Sequence, residues 1–490
     1  MWDVIIIGSG ISGLTAAAAL SRAGQKVLLL EQHWVAGGLT QTFKRGEWQF
    51  ATGVHYLSGM DEGNGPGGQF RRLLDWLGGD VLRFSPLANP YDLVHIGEFA
   101  FGIAHPKARF QTDLLARFPD ERAEIDHWFE QADAAVEAAS MVLVERGLPG
   151  WLAAAVRFWK GKDIEHFARA TVAEALAAFR DPCLRAILGA RGGDYGAAAA
   201  DAPLLEHAMV TGAYHAGAFY PVGGPAALAK ALVPVLQEAG GKLLLRADAQ
   251  SIDLADGRIA GVTYARGGKL YSEQARHVIS TMGLLNTLDR LPPDAAPAWR
   301  KAALDLKPGP AYVALYLGFE GDIAAAGASS ANIWLYETTD AIDRFWDHPD
   351  DADAPGLFVS FPSLKDPAHV GGDTAEVLAL CSADAFGALD GGRSGRAQTR
   401  LCGGERANRA APACAIPPPL AGPRRDDPLP RSFHPAFTTP LRPHATGVDV
   451  WTGSERCAAR KWRTQNPHPG TRPATRRTGC NRGGGAAKRN

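Results

Sequence analysis

The residues of this chain with the most legible chemistry are three glycines spaced Gly8-x-Gly10-x-x-Gly13 and an acid, Glu31. Glycines at this spacing suit a dinucleotide. Gly8 permits a tight turn, Gly10 lets a pyrophosphate approach the backbone, and Gly13 lets a helix pack close to a strand. At the start of that helix, Ile11 and Ser12 offer free N–H groups and a positive dipole end to the phosphates. Glu31 can accept hydrogen bonds from ribose hydroxyls, and an acid there favours an unphosphorylated ribose, hence FAD or NAD over NADP. The flanking elements agree. Asp3–Ile7 reads as a strand, Leu14, Ala17 and Leu20 mark a helix that Gly24 stops, and Lys26–Leu30 reads as a second strand ending at Glu31. A chance glycine turn would not bring this whole βαβ context with it.

Beyond Gln32 comes a second glycine pair, Gly37-Gly38, which lets backbone amides approach a cofactor from another side. A glycine pair just after the ribose-binding acid resembles FAD oxidoreductases of the amine oxidase and phytoene desaturase type. The segments Phe50–Tyr56 (FATGVHY), Ala218–Gly224 (AFYPVGG) and Val359–Pro367 (VSFPSLKDP) are similar to the retinol saturase and carotenoid isomerase branch of that superfamily. The matches cover about residues 1 to 385. The resemblance implies FAD as cofactor, held by Gly8, Gly10, Ile11, Ser12, Gly13, Glu31, Gln32, Gly37 and Gly38. It also places a segment like Ala247-Asp248-Ala249 beside the adenine, which makes Ala249 a further cofactor residue.

In such flavoproteins the cofactor carries the redox chemistry, and the protein positions the substrate. For a polyene the expected step is hydride transfer to or from carbon, completed by proton transfer. Saturation, desaturation and isomerisation are all open. His55 follows a glycine expected near the flavin and is the candidate proton-handling group; the plainer alternative is a hydrogen-bonded structural histidine. Tyr220–Gly224 is expected to shape a substrate passage or a cofactor-facing turn.

The elements that must position these residues follow a repeated pattern. Residues 105–210 read as largely helical, including Thr171–Phe179. Ala226–Gly240 reads as another helix, and strands return at Lys242–Arg246, Ile259–Tyr264 and His277–Thr281. Residues 311–317, 357–361 and 376–380 read as strands of a second sheet. The expected fold is α/β: a Rossmann-like FAD-binding domain (1–70 and 216–290) interleaved with a mixed α+β substrate domain (71–215 and 291–390). No run of about eighteen apolar residues suggests a transmembrane helix. The first strand starts at residue 3, leaving no room for a leader in this reading. Six cysteines lack metal-ligand spacing, so no metal and a reducing, cytoplasmic setting are expected. A lipophilic substrate implies peripheral membrane contact, for which Trp151–Lys160 combines bulky apolar residues with Arg and Lys. An ordinary helix packed on the substrate domain would read the same way.

Residues 391–490 differ in kind. They carry 19 Lys and Arg against 5 acids, which leaves residues 1–390 at −15, and they hold four of the six cysteines with no sustained period. A disordered basic tail, a nucleic-acid arm and translation in the wrong frame compete. Scattered Trp, Cys and His speak against a nucleic-acid arm. Moving the codons of Pro469–Cys480 on by one base permits Pro-Gly-Leu-Asp-Leu-Leu-Leu-Ala-Gly-Gln-Asp, a string similar to the closing flavin-contact motif of the resembled family. The tail therefore reads as out of frame and non-native, and the last return to the cofactor domain that the family would require does not come.

The expected function is a FAD-dependent oxidoreductase acting on carbon–carbon double bonds of a polyene or other isoprenoid, without a nucleic-acid partner. The rivals are an amine oxidase-like flavoenzyme, an inactive frameshifted product, and a non-catalytic lipid-binding relative such as the Rab GDP dissociation inhibitors. The intact glycine and Glu31 set argues against the last.

Overall fold

Val4 and Ile6 face one side of the first strand and Ile5 and Ile7 the other, and both sides are buried. That pattern requires a sheet covered on two faces. The computed structural model describes residues 1–381, apart from 62–67, 294, 296–297, 307–308, 310 and 345–353, and a strand at Pro443–Asp449. The remainder of the 391–490 tail, with its reading-frame question, lies outside the described residues.

In chain order the early strands are β1 (Trp2–Ile7), β2 (Val27–Glu31), β3 (Thr42–Arg45), β4 (Trp48–Ala51), β5 (Phe84–Pro86), β6 (Asp92–Ile96), β7 (Phe99–Ile103) and β8 (Phe219–Pro221). They are followed by β9 (Lys242–Leu245), β10 (Asp248–Ala255), β11 (Arg258–Arg266), β12 (Lys269–Ser280) and β13 (Ala311–Phe319). The last are β14 (Asn332–Tyr336), β15 (Gly356–Ser360), β16 (Asp373–Cys381) and β17 (Pro443–Asp449). One sheet runs β10-β11-β12-β1-β2-β9, with β12, β1, β2 and β9 parallel. Helices α1 (Ile11–Arg22) and α2 (Gln69–Gly78) lie on its Val4/Ile6 face together with a later helix, burying Leu14, Leu77, Leu232 and Leu236. The opposite face packs on Ala247, just before β10, and on Ala249, Ile252, Val262 and Tyr264 from the antiparallel β10–β12 meander. This is the Rossmann-like unit expected from the sequence.

The second sheet runs β17-β13-β16-β15-β14-β6-β7. It is antiparallel except where β14 lies parallel to β6. Strands at 311–319, 356–360 and 373–381 match the sequence reading; β6, β7 and β14 were not foreseen. Between β7 and β8 come α3 (Lys107–Arg117), α4 (Arg122–Gly147), α5 (Gly150–Arg169), α6 (Val172–Leu176), α7 (Pro182–Gly189), α8 (Gly192–Tyr195) and α9 (Leu204–Ala213). They form a helical layer whose core includes Ile125, Trp128, Phe129, Leu184 and Leu204. Thr171 and Glu174 close a reciprocal capping box at the start of α6. Then α10 (Ala226–Glu238) returns the chain to the first sheet.

Candidate functional site

The glycine motif forms a cradle made mostly of backbone. Gly8 sits at φ +97°, and a Cβ at Gly13 would stand 1.9 Å from the carbonyl oxygen of Gly8. Both positions therefore need glycine for the fold itself. Gly10 is different: a Cβ there meets no protein atom within 4 Å. That open space leaves room for a ligand against the backbone. Helix α1 begins directly after Gly10 with no side-chain cap and no acid in its first turn, so its N–H groups are free for an anion. Ile11 and Ser12, the first residues of that turn, are exposed.

The second glycine pair closes on the first. Gly10 and Gly37 form a single parallel bridge, and a Cβ on Gly38 (φ +56°) would come 2.9 Å from the Cα of Gly10. Glu31 is buried at the end of β2. The Ser9 N–H and hydroxyl donate to its Oε2 at 2.9 and 2.6 Å, and the His33 N–H donates to Oε1 at 2.7 Å. Glu31 thus shapes the cradle as well as offering its remaining lone pairs to a ribose. Burial lowers the His33 pKa, against the pull of Glu31. Gln32 is exposed beside it. Ala247 donates its N–H to the Glu31 carbonyl at 2.8 Å. Ala249 is buried under the sheet, and Arg290 Nε donates to its carbonyl at 2.7 Å. An open glycine, an uncapped helix start and a buried acid fit the adenosine diphosphate part of FAD.

The three later motifs meet at a second place, which the sequence did not reveal as a unit. Asp92, Asn332, Ser360 and Glu376 are each fully buried. Register places Asp92 opposite Asn332 and Ser360 opposite Glu376, and the β14–β15 ladder, paired at Ile333–Val359, joins the two halves. One polar row therefore crosses four adjacent strands. Lys365, at the end of the helical turn Pro362–Lys365, folds back onto it. Its Nζ donates to the Ser360 hydroxyl at 2.7 Å, to the His55 carbonyl at 2.8 Å and to Asn332 Oδ1. Asn332 Nδ2 in turn donates to Asp92 Oδ1 at 2.8 Å, and Arg191 Nε stands 3.6 Å from Asp92 Oδ2. Burial pushes the Lys365 pKa down to about 7, against Glu376 and Asp92. Burial pushes Asp92 up to about 6, helped by Asp194 and opposed by Arg191.

Glu376 grips the FATGVHY segment from the other side. Its Oε1 accepts from the Ala51 N–H at 2.6 Å, and its Oε2 stands 2.9 Å from His55 Nδ1. The His55 ring packs edge-on against Phe358, and its Nε2 is buried without a hydrogen-bond partner. Tyr56 donates to Asp194 at 2.9 Å beside Arg191, whose guanidinium lies 4.1 Å from the Tyr214 ring centre. Tyr220 is buried, with Lys365 Nζ 5.9 Å from its ring centre, and Gly223 donates its N–H to Asp366 at 3.0 Å. The AFYPVGG segment is thereby bound to VSFPSLKDP.

The two places are continuous. Thr52 Oγ1 donates to the carbonyls of Leu39 and Gln41 at 3.0 Å, and a Cβ on Gly53 would stand 3.1 Å from Leu39 Cβ. Leu39 follows Gly38, which touches Gly10. Sequence reasoning had His55 but missed Lys365, Asp92, Asn332 and Glu376 as partners. The available signal was a polar residue among apolar neighbours, as in Tyr91-Asp92-Leu93 and Ala375-Glu376-Val377. No group of acids, His and Cys suited to a metal occurs among the described residues.

Residues 11–383 match the sequence profile of the flavin containing amine oxidoreductases. The chain belongs to that family. Its cofactor is FAD. Over 384 residues this family member is 33% identical to the all-trans-retinol 13,14-reductase of Rattus norvegicus, covering 74% of the chain and 62% of that protein. It is 26% identical to the chloroplastic prolycopene isomerase of Daucus carota over 66% of the chain and 53% of that protein. The chain thus spans less than two thirds of the length of these curated relatives. An oxidoreductase from Methanosarcina mazei shares the fold, with TM-score 0.55 at 18% identity over 79% of this chain and 81% of that one.

Proposed function

We propose that this flavoprotein is a FAD-dependent oxidoreductase acting on a carbon–carbon double bond of a polyene or related isoprenoid. The observation that carries the reading is the physical union of the glycine cradle with the three motifs shared with the retinol reductase and carotenoid isomerase branch. The likeness to a retinol reductase and a prolycopene isomerase supports a lipophilic substrate. The two discontinuous regions, 1–70 with 216–290 and 71–215 with 291–390, are proposed as cofactor and substrate domains.

Bound FAD would supply hydride acceptance or donation at N5. The chain's own residues do the rest. Gly8, Gly10, Ile11, Ser12, Gly13, Glu31, Gln32, Gly37, Gly38 and Ala249 would hold the cofactor, with Glu31 on the ribose and the start of α1 on the pyrophosphate. His55 would hold the proton that completes saturation or desaturation. Glu376 stands against its Nδ1, leaving Nε2 as the atom to release or accept that proton. Lys365 fixes the backbone at His55 by donating to its carbonyl.

The test is the visible spectrum of the purified chain with and without FAD, then incubation with all-trans-retinol, prolycopene and a panel of primary amines. A bound-flavin band near roughly 450 nm and conversion of either polyene are expected. Amine-dependent hydrogen peroxide with both polyenes untouched overturns the reading. No bound flavin, with recovery once a single-base correction restores the frame after about codon 390, assigns the literal chain as a damaged copy; the nucleotide sequence decides whether such a frame exists.

A further inference from the structure

A helix in a globular protein normally buries one apolar stripe. Helix α5 does not. Of its 20 residues only Ala153 and Phe167 are buried, while Trp151, Phe158 and Trp159 are 73, 94 and 80% exposed. Positions 151, 155, 158, 159 and 162 lie on one side of an ideal helix. All five are exposed. The preceding helix adds to the same end. Leu143 and Val144, in the last turns of α4, are 67 and 47% exposed, and Gly147–Gly150 joins the two helices. Arg157 pairs with Glu145 at 3.2 Å and Lys160 with Glu137 at 2.9 Å, which sets α4 and α5 antiparallel as a hairpin.

Charge identifies what the hairpin meets. Residues 146–162 contain no acid, within a 390-residue stretch that carries a net −15; of their four cations Arg157 and Lys160 are engaged by Glu145 and Glu137, and the exposed Arg146 and Lys162 face outward. Exposed Trp and Phe interleaved with cations are what the headgroup layer of an anionic bilayer accommodates: rings at the acyl boundary, cations among the phosphates. No helix among the described residues is long and apolar enough to cross a membrane.

We propose that the α4–α5 hairpin lies in the surface of an anionic lipid bilayer, with Trp151, Phe158 and Trp159 inserted and Arg146 and Lys162 on the headgroups. The proposal rests on the reading of a lipophilic substrate only for its purpose; its test needs no substrate, so the two can fail separately.

The test is flotation of the full chain with vesicles of phosphatidylcholine alone or with about 30% phosphatidylserine. Preferred binding to the anionic vesicles is expected. The triple variant Trp151→Ser, Phe158→Ser, Trp159→Ser should lose at least about tenfold in partitioning to both kinds of vesicle. Arg146→Gln with Lys162→Gln should lose about tenfold on the anionic vesicles alone. These side chains are exposed, so unfolding midpoints should match the parent. Absence of parental binding overturns the proposal, as does undiminished binding of the triple variant. A parental dimer that the triple variant converts to monomer also overturns it, in favour of a second copy covering this face.

Discussion

The glycine cradle and the polar row on the second sheet solve the same problem, holding groups in one geometry, by opposite means. The cradle spans residues 7–38 and is built from backbone, so its specificity lies in where side chains are absent. The row draws Asp92, Asn332, Ser360, Lys365 and Glu376 from five segments up to 284 positions apart, and its specificity lies in buried side chains joined through Lys365 and Asn332. A cradle of that kind can lose its ligand and keep its fold. A buried polar row cannot lose a member so cheaply, because each remaining partner is left without water or protein to bond.

Four substitutions or conditions sharpen that contrast. The largest effect is expected for Gly13→Val, where a backbone oxygen lies 1.9 Å from any Cβ. No soluble folded protein should be recovered, as judged by gel filtration and circular dichroism; a folded Gly13→Val protein would show that the helix can move off the strand. Next, Lys365→Met should lower the unfolding free energy by about 3 kcal/mol in urea titration, since the His55 carbonyl, Ser360 and Asn332 lose their shared donor. An unchanged midpoint would mean the row is not structural.

Gly10→Ala separates cofactor from fold. With no protein atom within 4 Å of its Cβ, the apoprotein should unfold within about 0.5 kcal/mol of the parent. Flavin affinity should fall at least about tenfold, measured by fluorescence of released FAD. Equal losses in both would place Gly10 with Gly13 as a packing glycine. The smallest effect is on pH dependence. Lys365 sits at about 7 in the fold against an ordinary 10.5, so the unfolded chain binds more protons across that window and stability should rise with pH there. Asp92, raised from 3.8 to about 6, gives the reverse: its contribution is present below pH 3.8 and lost as pH rises through 6. Unfolding free energies from urea titration should be higher at about pH 9.5 than at about pH 7 in the parent, and Lys365→Met should remove the rise.

What could be read from sequence follows the same division. The βαβ unit was legible because strand alternation, helix period, glycine spacing and terminal acid are all local, and each element's neighbour in sequence is its neighbour in space. Trp151–Lys160 was legible as an apolar and basic run, but whether Trp151 and Trp159 were core or surface was not, since an amphipathic pattern does not say whether a partner arrives. The motifs around His55, Tyr220 and Lys365 were visible as strings, and their residues gave no hint that they touch.

The sequence alone determined the Rossmann-like unit, the glycine cradle, Glu31 and the family, because these depend on backbone conformation that a few adjacent residues dictate. Only the tertiary structure decided that Lys365 holds the His55 backbone, that Glu376 faces the His55 ring, and that Asp92, Asn332 and Ser360 lie in one row. Register between strands is set by the packing of whole sheets, and a one-residue slip would have turned each of those polar side chains to the other face.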